Sequence, residues 1–278
     1  MNFSDQQLAE FLSAAEHAAK LGGAKLMEMM GSAKVSEKAP KDLVTEADLA
    51  SQRAIENYLL EKFPDHILVG EEDTERSGDL DSDSDKFCWI VDPLDGTMNY
   101  VHQLRSFSVS VALRHQGQLL VGVVYDPWVD ECFSAALGGG AALNGESIGT
   151  SGCQKIPEAL VVCSFSSSVN RAHPEVERFL RVLGNVASVR RLGSAALNLS
   201  YVACGRTDAY WATGLKCWDI AAGFLILSEA GGVLDCIEGG TEIQFEKPKF
   251  CAAATETLGQ AMREYLVCLL YTSDAADE

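Results

Sequence analysis

Two aspartates, Asp92 and Asp95, follow a short apolar run and carry the clearest chemical signal in the chain. The run 87–91 is rich in aromatic and β-branched residues, which predicts a buried strand. Pro93 lacks an amide hydrogen, so we expect the hydrogen-bond ladder of this strand to stop at Asp92. Carboxylates at a strand end suit a hard cation such as Mg²⁺, which also takes phosphate oxygens. Considered alone, the segment 92–96 is equally typical of a simple turn.

The two residues that follow could supply the anion side of such a site. Gly96 allows the backbone to approach a ligand closely, and Thr97 is predicted to cap the helical turn that begins there. Backbone amides at the start of a helix attract anions. The stretch from Asp92 to Thr97 is therefore a candidate site for a cation that holds a phosphate.

Three other acidic positions stand at element ends elsewhere in the chain. Asp48 falls on the first turn of a helix that Thr45 is predicted to cap, where acids also serve as partners of the helix dipole. Glu71 opens a run of three acids after a predicted strand, although such a run is often a solvated loop. Asp219 is predicted to be the N-cap of a helix over 220–230, a position compatible with a metal–phosphate site.

Composition limits the possible partners. The chain has 278 residues, is 47% hydrophobic and carries a formal net charge of −18. Such a surface repels nucleic acid and anionic membranes, so we expect neither as a main partner. The nine cysteines show no paired spacing, which favours reduced thiols and a cytoplasmic location.

The order of predicted elements indicates a mixed α/β fold. Period-two patterns predict an antiparallel meander over about 106–137, and alternating strands and helices follow it, which together favour an α+β mixture. Helices are predicted to about residue 30 and over 45–62, 173–183, 194–203, 220–230 and 257–267. Strands are predicted over 66–70, 87–91, 106–114, 119–125, 131–137, 160–164, 188–192, 209–212, 233–236 and 250–253.

Taken together, these motifs resemble the inositol monophosphatase family. The resemblance covers roughly residues 5–267 and rests on Glu71-Glu72, on 92–97 with 99–102, and on 218–223 with 229–232. It implies a layered αβαβα sandwich of the inositol monophosphatase and fructose-1,6-bisphosphatase type, Mg²⁺ dependence, lithium sensitivity and a homodimer. It also implies one domain over 1–267, with halves of about 1–149 and 150–267.

The resemblance assigns roles to particular residues. One Mg²⁺ ion would be held by Glu71, Asp92 and the carbonyl of Leu94, and a second by Asp92, Asp95 and Asp219. A third, weaker ion would lie near Glu71. Glu71 and Thr97, the latter supported by Asp48, would orient a water for in-line attack on the phosphate, in a two-metal reaction. The implied substrate contacts are Asp95, Gly96, Thr97, Gly193, Ser194, Ala195 and Asp219.

Two features depart from the family pattern. Ala212 stands where members that prefer inositol carry an acid, so the resemblance supports phosphatase chemistry more firmly than inositol as the substrate. Residues 268–278 continue no family pattern and resemble the translation of a sequencing adapter. We expect this tail to be non-native, the alternative being a genuine acidic tail.

Three functions follow as hypotheses. The first is Mg²⁺-dependent hydrolysis of myo-inositol monophosphate to inositol and phosphate. The second keeps this chemistry but acts on another sugar phosphate or on an amino-alcohol phosphate such as histidinol phosphate. The third is a non-enzymatic protein that binds divalent ions, which predicts at least one missing ligand.

Overall fold

The secondary-structure elements stack in five layers in the order helix, sheet, helix, sheet, helix. The structure is a computed structural model that describes residues 3–39, 42–72, 85–165, 169–237 and 243–267. The predicted tail 268–278 therefore lies outside the described residues. The layer order confirms the predicted αβαβα sandwich.

The first layer consists of two helices, each of which begins at a capping box. Ser4 and Gln7 exchange hydrogen bonds at the first helix, and Thr45 and Asp48 do the same at the second. In each case a side chain satisfies backbone amides that the first helical turn leaves unpaired. These elements and the hairpin between them are α1 (Asp5–Met29), β1 (Val35–Ala39), β2 (Asp42–Thr45) and α2 (Glu46–Lys62).

The second layer is a seven-stranded sheet in which the strands follow one another in chain order. Only the first pair is parallel; the remaining pairs are antiparallel, as the predicted meander requires. The strands are β3 (Ile67–Gly70), β4 (Cys88–Asp95), β5 (Ser108–His115), β6 (Gln118–Asp126), β7 (Glu131–Ala136), β8 (Ala141–Leu143) and β9 (Glu146–Ser147). A short helix, α3 (Thr97–Val101), follows β4 directly.

The remaining layers come from the second half of the chain. A five-stranded mixed sheet has the order β11-β10-β12-β14-β13. Helices α5 and α6 lie between the two sheets, and α4 and α7 cover the outer face. The elements are β10 (Leu160–Ser164), α4 (Pro174–Leu183), β11 (Ser188–Arg190), α5 (Ala195–Ala203), β12 (Ala209–Ala212), α6 (Cys217–Glu229), β13 (Val233–Cys236), β14 (Phe250–Ala253) and α7 (Glu256–Leu266).

Small residues let the middle helices approach the strands. A Cβ atom on Gly122 of β6 would lie 2.7 Å from the carbonyl oxygen of Ala222 on α6, and one on Gly223 would lie 2.6 Å from Leu199 of α5. Both helices are buried around most of their circumference, because each faces a sheet on two sides. This packing holds the N-terminal ends of α5 and α6 against the end of β4.

The predicted end of β4 is wrong. The strand continues past Pro93 to Asp95, with a bulge that places Pro93 and Leu94 opposite the single residue Val109. The missing amide of proline is tolerated because bulge residues do not need to donate to the ladder. Among the described residues, no helix combines the length and apolar character needed to cross a membrane.

Candidate active site

Three aspartates from two distant parts of the chain meet where β4 ends. A carboxylate oxygen from each of Asp92, Asp95 and Asp219 lies within 4.8 Å of those of the other two. Asp92 and Asp95 are buried, and Asp219 is half-buried. Oxygen ligands clustered in this way fit a hard divalent cation.

The bulge in β4 turns both of its aspartates toward the same side of the sheet. Residues three apart on a regular strand point to opposite faces. Here Asp92 pairs with Ser110 and Asp95 with Ser108, which are two residues apart on β5 and so share a face. Ser108 contacts the Ser194 hydroxyl at 3.1 Å, and Ser110 donates to the carbonyl of Trp218. Both carboxylates therefore face the starts of α5 and α6.

Asp95 is held by the first residues of α5. Its Oδ2 accepts hydrogen bonds from the Ser194 hydroxyl at 2.6 Å and from the Ala196 amide at 2.7 Å. Ser194 is also the N-cap of α5, because its hydroxyl accepts from the Leu197 amide. The predicted substrate contacts Ser194 and Ala195 thus lie beside Asp95.

Asp219 is not the N-cap of α6, which corrects the prediction. The helix begins at Cys217, three residues earlier than expected, and Asp219 occupies its third position. There the carboxylate accepts a hydrogen bond from the amide of Lys216, which is the true N-cap. The sequence signal was ambiguous because acids are favoured both at N-caps and within the first turn.

Two glycines form a tight wall next to the acids. Gly96 (φ +95°) and Gly193 (φ +94°) adopt left-handed conformations that favour glycine. A Cβ on Gly96 would lie 3.3 Å from the Gly193 carbonyl oxygen. The amide of Asn99 joins the two segments by donating to the carbonyls of Ser106 and Leu192, each at 2.7 Å. Local sequence gives no sign of this role of Asn99, because Leu192, one of its two partners, lies 93 positions away.

Thr97 does not cap the helix that follows, contrary to the prediction. Gly96 occupies the N-cap position of α3 without a side-chain cap. The Thr97 hydroxyl instead lies 3.1 Å from the Leu94 carbonyl oxygen and 3.4 Å from Asp48 Oδ1. Asp48 is buried, and its carboxylate accepts a hydrogen bond from the amide of Thr45. The contact predicted between Thr97 and Asp48 is present.

Glu71 lies at the end of β3, next to the end of β4. Its amide donates to the carbonyl of Val91, one residue before Asp92. The side chain is half-buried, and its charge is one of the causes that raise the pKa of Asp92. Because β3 and β4 are parallel, their carboxyl ends bring Glu71 toward the aspartates. Gln52 accepts from the amide of Glu72 beside it.

The carboxylates destabilise one another's charged forms. Burial raises the pKa of Asp92 well above its usual value, and the charges of Glu71, Asp95 and Asp219 raise it further. The pKa of Asp219 is raised to about 7, mainly by burial and secondly by the charge of Asp95. Burial also raises the pKa of Asp95, against the lowering effect of its hydrogen bonds. A bound cation would offset this repulsion, so the residues present fit a divalent metal.

Comparison with known proteins supports what the geometry indicates. Residues 7–271 match the model of the inositol monophosphatase family. An inositol-1-monophosphatase of Mesorhizobium japonicum is 40% identical over 75% of this chain and 77% of its own length. A protein of Pseudomonas aeruginosa named Nus factor SuhB is 39% identical over 80% of this chain and 82% of its own length. The crystal structure of the extragenic suppressor protein suhB from Bartonella henselae matches this structure with a TM-score of 0.85 and 35% sequence identity. The match covers 92% of this chain and 98% of the suhB chain.

The five-layer sandwich with its acidic centre has the fold of the solved inositol monophosphatases. The chain belongs to the inositol monophosphatase family. It is accordingly a phosphoric monoester hydrolase, and the hypothesis of a non-enzymatic ion-binding protein is set aside.

Proposed function

We propose that this protein hydrolyses a phosphate monoester with the help of Mg²⁺ and that its substrate is myo-inositol monophosphate. The observation that carries the proposal is the cluster of Asp92, Asp95 and Asp219 beside the wall formed by Gly96 and Gly193. The inositol-1-monophosphatase from Mesorhizobium japonicum supports the substrate. The products would be inositol and phosphate.

The same residues would hold the metal. Glu71, Asp92 and the carbonyl of Leu94 would bind one Mg²⁺ ion, and Asp92, Asp95 and Asp219 would bind a second. A third, weaker ion would lie near Glu71. When bound, the ions supply Lewis acidity and positive charge that offsets the charge of the phosphate.

The protein's own groups would then position the reactants. The pKa of Asp48 is raised to about 6, mainly by burial, so the carboxylate is largely ionised at neutral pH and can accept a hydrogen bond from the Thr97 hydroxyl. The lone pairs of Thr97 are then free to accept a hydrogen bond from the attacking water, which Glu71 would also orient. The amides of Gly96 and Thr97 would donate to phosphate oxygens.

The leaving group would lie against the starts of α5 and α6, in contact with Asp95, Gly193, Ser194, Ala195 and Asp219. Ala212 is buried at the end of β12 and cannot accept a hydrogen bond from a sugar hydroxyl through its side chain. This favours a second candidate, in which the same chemistry acts on another sugar phosphate or on histidinol phosphate. Family likeness also supports a homodimer.

The test is phosphate release in Mg²⁺ from inositol 1-phosphate, fructose 1,6-bisphosphate, histidinol phosphate and β-glycerophosphate, with and without lithium. We expect inositol 1-phosphate to have the highest kcat/KM and lithium to inhibit. A preference for histidinol phosphate would keep the hydrolysis and reject inositol as the substrate. No phosphate release from any ester by folded protein in Mg²⁺ would reject the proposal.

A further inference from the structure

An open cavity of about 680 Å³ lies between the two sheets, away from the acidic centre. Its walls are the turn that joins β5 to β6, the second half of α6, and β13 together with Phe245. Glu229 in its lining follows Asp219 along α6, at a separation of roughly 15 Å. A volume of this size is typical of small-molecule sites, and the proposed reaction makes no use of it.

Most of the lining is apolar. Phe224 and Leu225 of α6 contribute buried side chains to it. Leu119, Leu234 and Phe245 are half-buried and pack against the same hydrophobic core. Because an apolar group that entered the cavity would remove this surface from water, the lining favours a ligand with an apolar body.

Arg114, near the end of β5, supplies a positive charge at the cavity. Its guanidinium carbon lies 5.2 Å from the centre of the Phe245 ring, so the cation stacks on an aromatic wall of the cavity. The residue is half-buried. Within the part of the chain that the structure describes, its side chain has neither an ion pair nor a hydrogen bond.

The two acids in the lining are already engaged elsewhere. Glu229 accepts hydrogen bonds from the amide of Gly138 at 2.7 Å and from that of Gly140 at 2.9 Å, one on each carboxylate oxygen. Asp235 lies 3.7 Å from the guanidinium of Arg263 on α7. A negatively charged group on a ligand would therefore be the partner that the arginine of the cavity lacks, and a guanidinium is well suited to bind one by two parallel hydrogen bonds.

We propose that this cavity binds a small organic anion, with its apolar body against α6 and β13 and its acidic group at Arg114. An uncharged ligand of the same shape would gain the apolar contacts but not the charged hydrogen bonds. The site is separate from the proposed metal centre, and the inference does not rest on the proposed hydrolysis.

The test uses two fluorescent dyes that differ only in charge. 8-Anilinonaphthalene-1-sulfonate is the anion, and N-phenyl-1-naphthylamine is the same molecule without the sulfonate. We expect one saturable site for the anionic dye on the folded protein in Mg²⁺. Arg114→Gln should raise its Kd about tenfold, the loss of one ion pair worth about 1.4 kcal/mol, and should leave the Kd of the uncharged dye within about twofold.

Arg105→Gln is the matched control, because the Arg105 guanidinium also lies over an aromatic ring, that of Trp128 at 4.5 Å, outside the cavity. It should change neither Kd. Ser228→Phe would place a ring in the cavity from the exposed face of α6 and should weaken both dyes. Unchanged binding of the anionic dye in either cavity variant, an equal loss in the control, or no saturable binding to the wild type would overturn the proposal.

A crystal of the wild type soaked with the anionic dye decides the point if a variant does not fold. The proposal requires density for the dye in the cavity with its sulfonate at Arg114. Dye bound only elsewhere, or a cavity filled by the protein's own side chains, would reject it.

Discussion

The Ser194 hydroxyl donates a 2.6 Å hydrogen bond to Oδ2 of Asp95, a residue 99 positions earlier in the chain. This bond joins the end of β4 in the first sheet to the start of α5 in the middle layer. It therefore connects the folding of the second half of the chain to the orientation of a carboxylate in the first half.

Ser194→Ala tests this connection. The change removes both the N-cap of α5 and a donor to Asp95, so we expect a loss of stability of about 1–2 kcal/mol. We also expect the Mg²⁺ concentration for half-maximal activity to rise about tenfold. Thr255→Ala is the control, because Thr255 caps α7 by accepting from the Leu258 amide in the outer layer. It should cost similar stability in a denaturant titration, and an equal rise in Mg²⁺ requirement there would contradict the assignment.

Asp92→Asn should abolish turnover and leave the fold intact. The variant removes the carboxylate that both proposed metal sites share, so we expect phosphate release to fall by at least about a hundredfold. It also removes one of the mutually repelling buried charges, so the Tm of the metal-free protein should rise. Asp235→Asn is the control, since that acid lies on β13, pairs with Arg263 of α7 and should not affect turnover. Full activity of Asp92→Asn at ordinary Mg²⁺ would reject the site.

Thr97→Val should slow the chemical step without weakening substrate binding. Valine has nearly the same shape but cannot bridge Asp48 and the attacking water, so we expect kcat to fall about a hundredfold with little change in KM. Thr97→Ser keeps the hydroxyl and should retain most of the activity in the same steady-state assay. Equal losses in the two variants would indicate a packing role for the methyl group instead.

Gly193→Ala tests the wall beside the acids. A Cβ at this position would lie 2.5 Å from Nδ2 of Asn99, which donates to the carbonyls on either side of the wall. The clash adds to a left-handed backbone that alone costs an alanine roughly 1–2 kcal/mol. Gly138→Ala has a similar φ of +72° and no atom within 4 Å of the new Cβ. We expect both variants to lose stability in thermal unfolding but only Gly193→Ala to lose kcat/KM, and unimpaired turnover in that variant would contradict the role of the wall.

The raised pKa values predict how metal and pH act together on stability. Asp219, with a pKa of about 7 in the folded protein against about 3.8 when unfolded, holds its proton more tightly when folded. Stability therefore falls as pH rises through this range, and Asp92 and Asp95 act in the same direction. His66, whose pKa is lowered to about 4 by burial, acts in the opposite direction only below about pH 6.5.

The measurement is the Tm with and without Mg²⁺ at pH 6.5 and pH 8.5. The metal-free protein should unfold at a lower temperature at pH 8.5, and the rise in Tm caused by Mg²⁺ should be larger there, because ionised carboxylates bind the ion without first losing protons. The Asp92→Asn variant should show a smaller pH dependence. A Mg²⁺ effect equal at the two pH values would contradict the predicted linkage.

Local patterns in the sequence are sufficient where both partners lie within one helical turn or one strand. The capping box of Thr45 and Asp48 depends on a spacing of three residues, and the apolar run before Asp92 determines the buried strand that carries it. The kinds of residue in the site and its place at a strand end could therefore be inferred from the chain alone. The two predicted N-caps, Thr97 and Asp219, lie one and three positions after the observed ones, because several polar residues near a helix start suit more than one capping role.

The tertiary structure decides the direction of each side chain. Asp92 and Asp95 face the same side only because the bulge keeps them opposite Ser110 and Ser108 of β5, and that pairing depends on the register between two strands. Asn99 and Ser108 likewise gain their partners Leu192 and Ser194 from the packing of the second half of the chain against the first sheet. The amino-acid sequence by itself determined which chemistry the chain can perform, whereas strand register and helix packing, which bring distant residues together, decided how the acids and their supports are arranged.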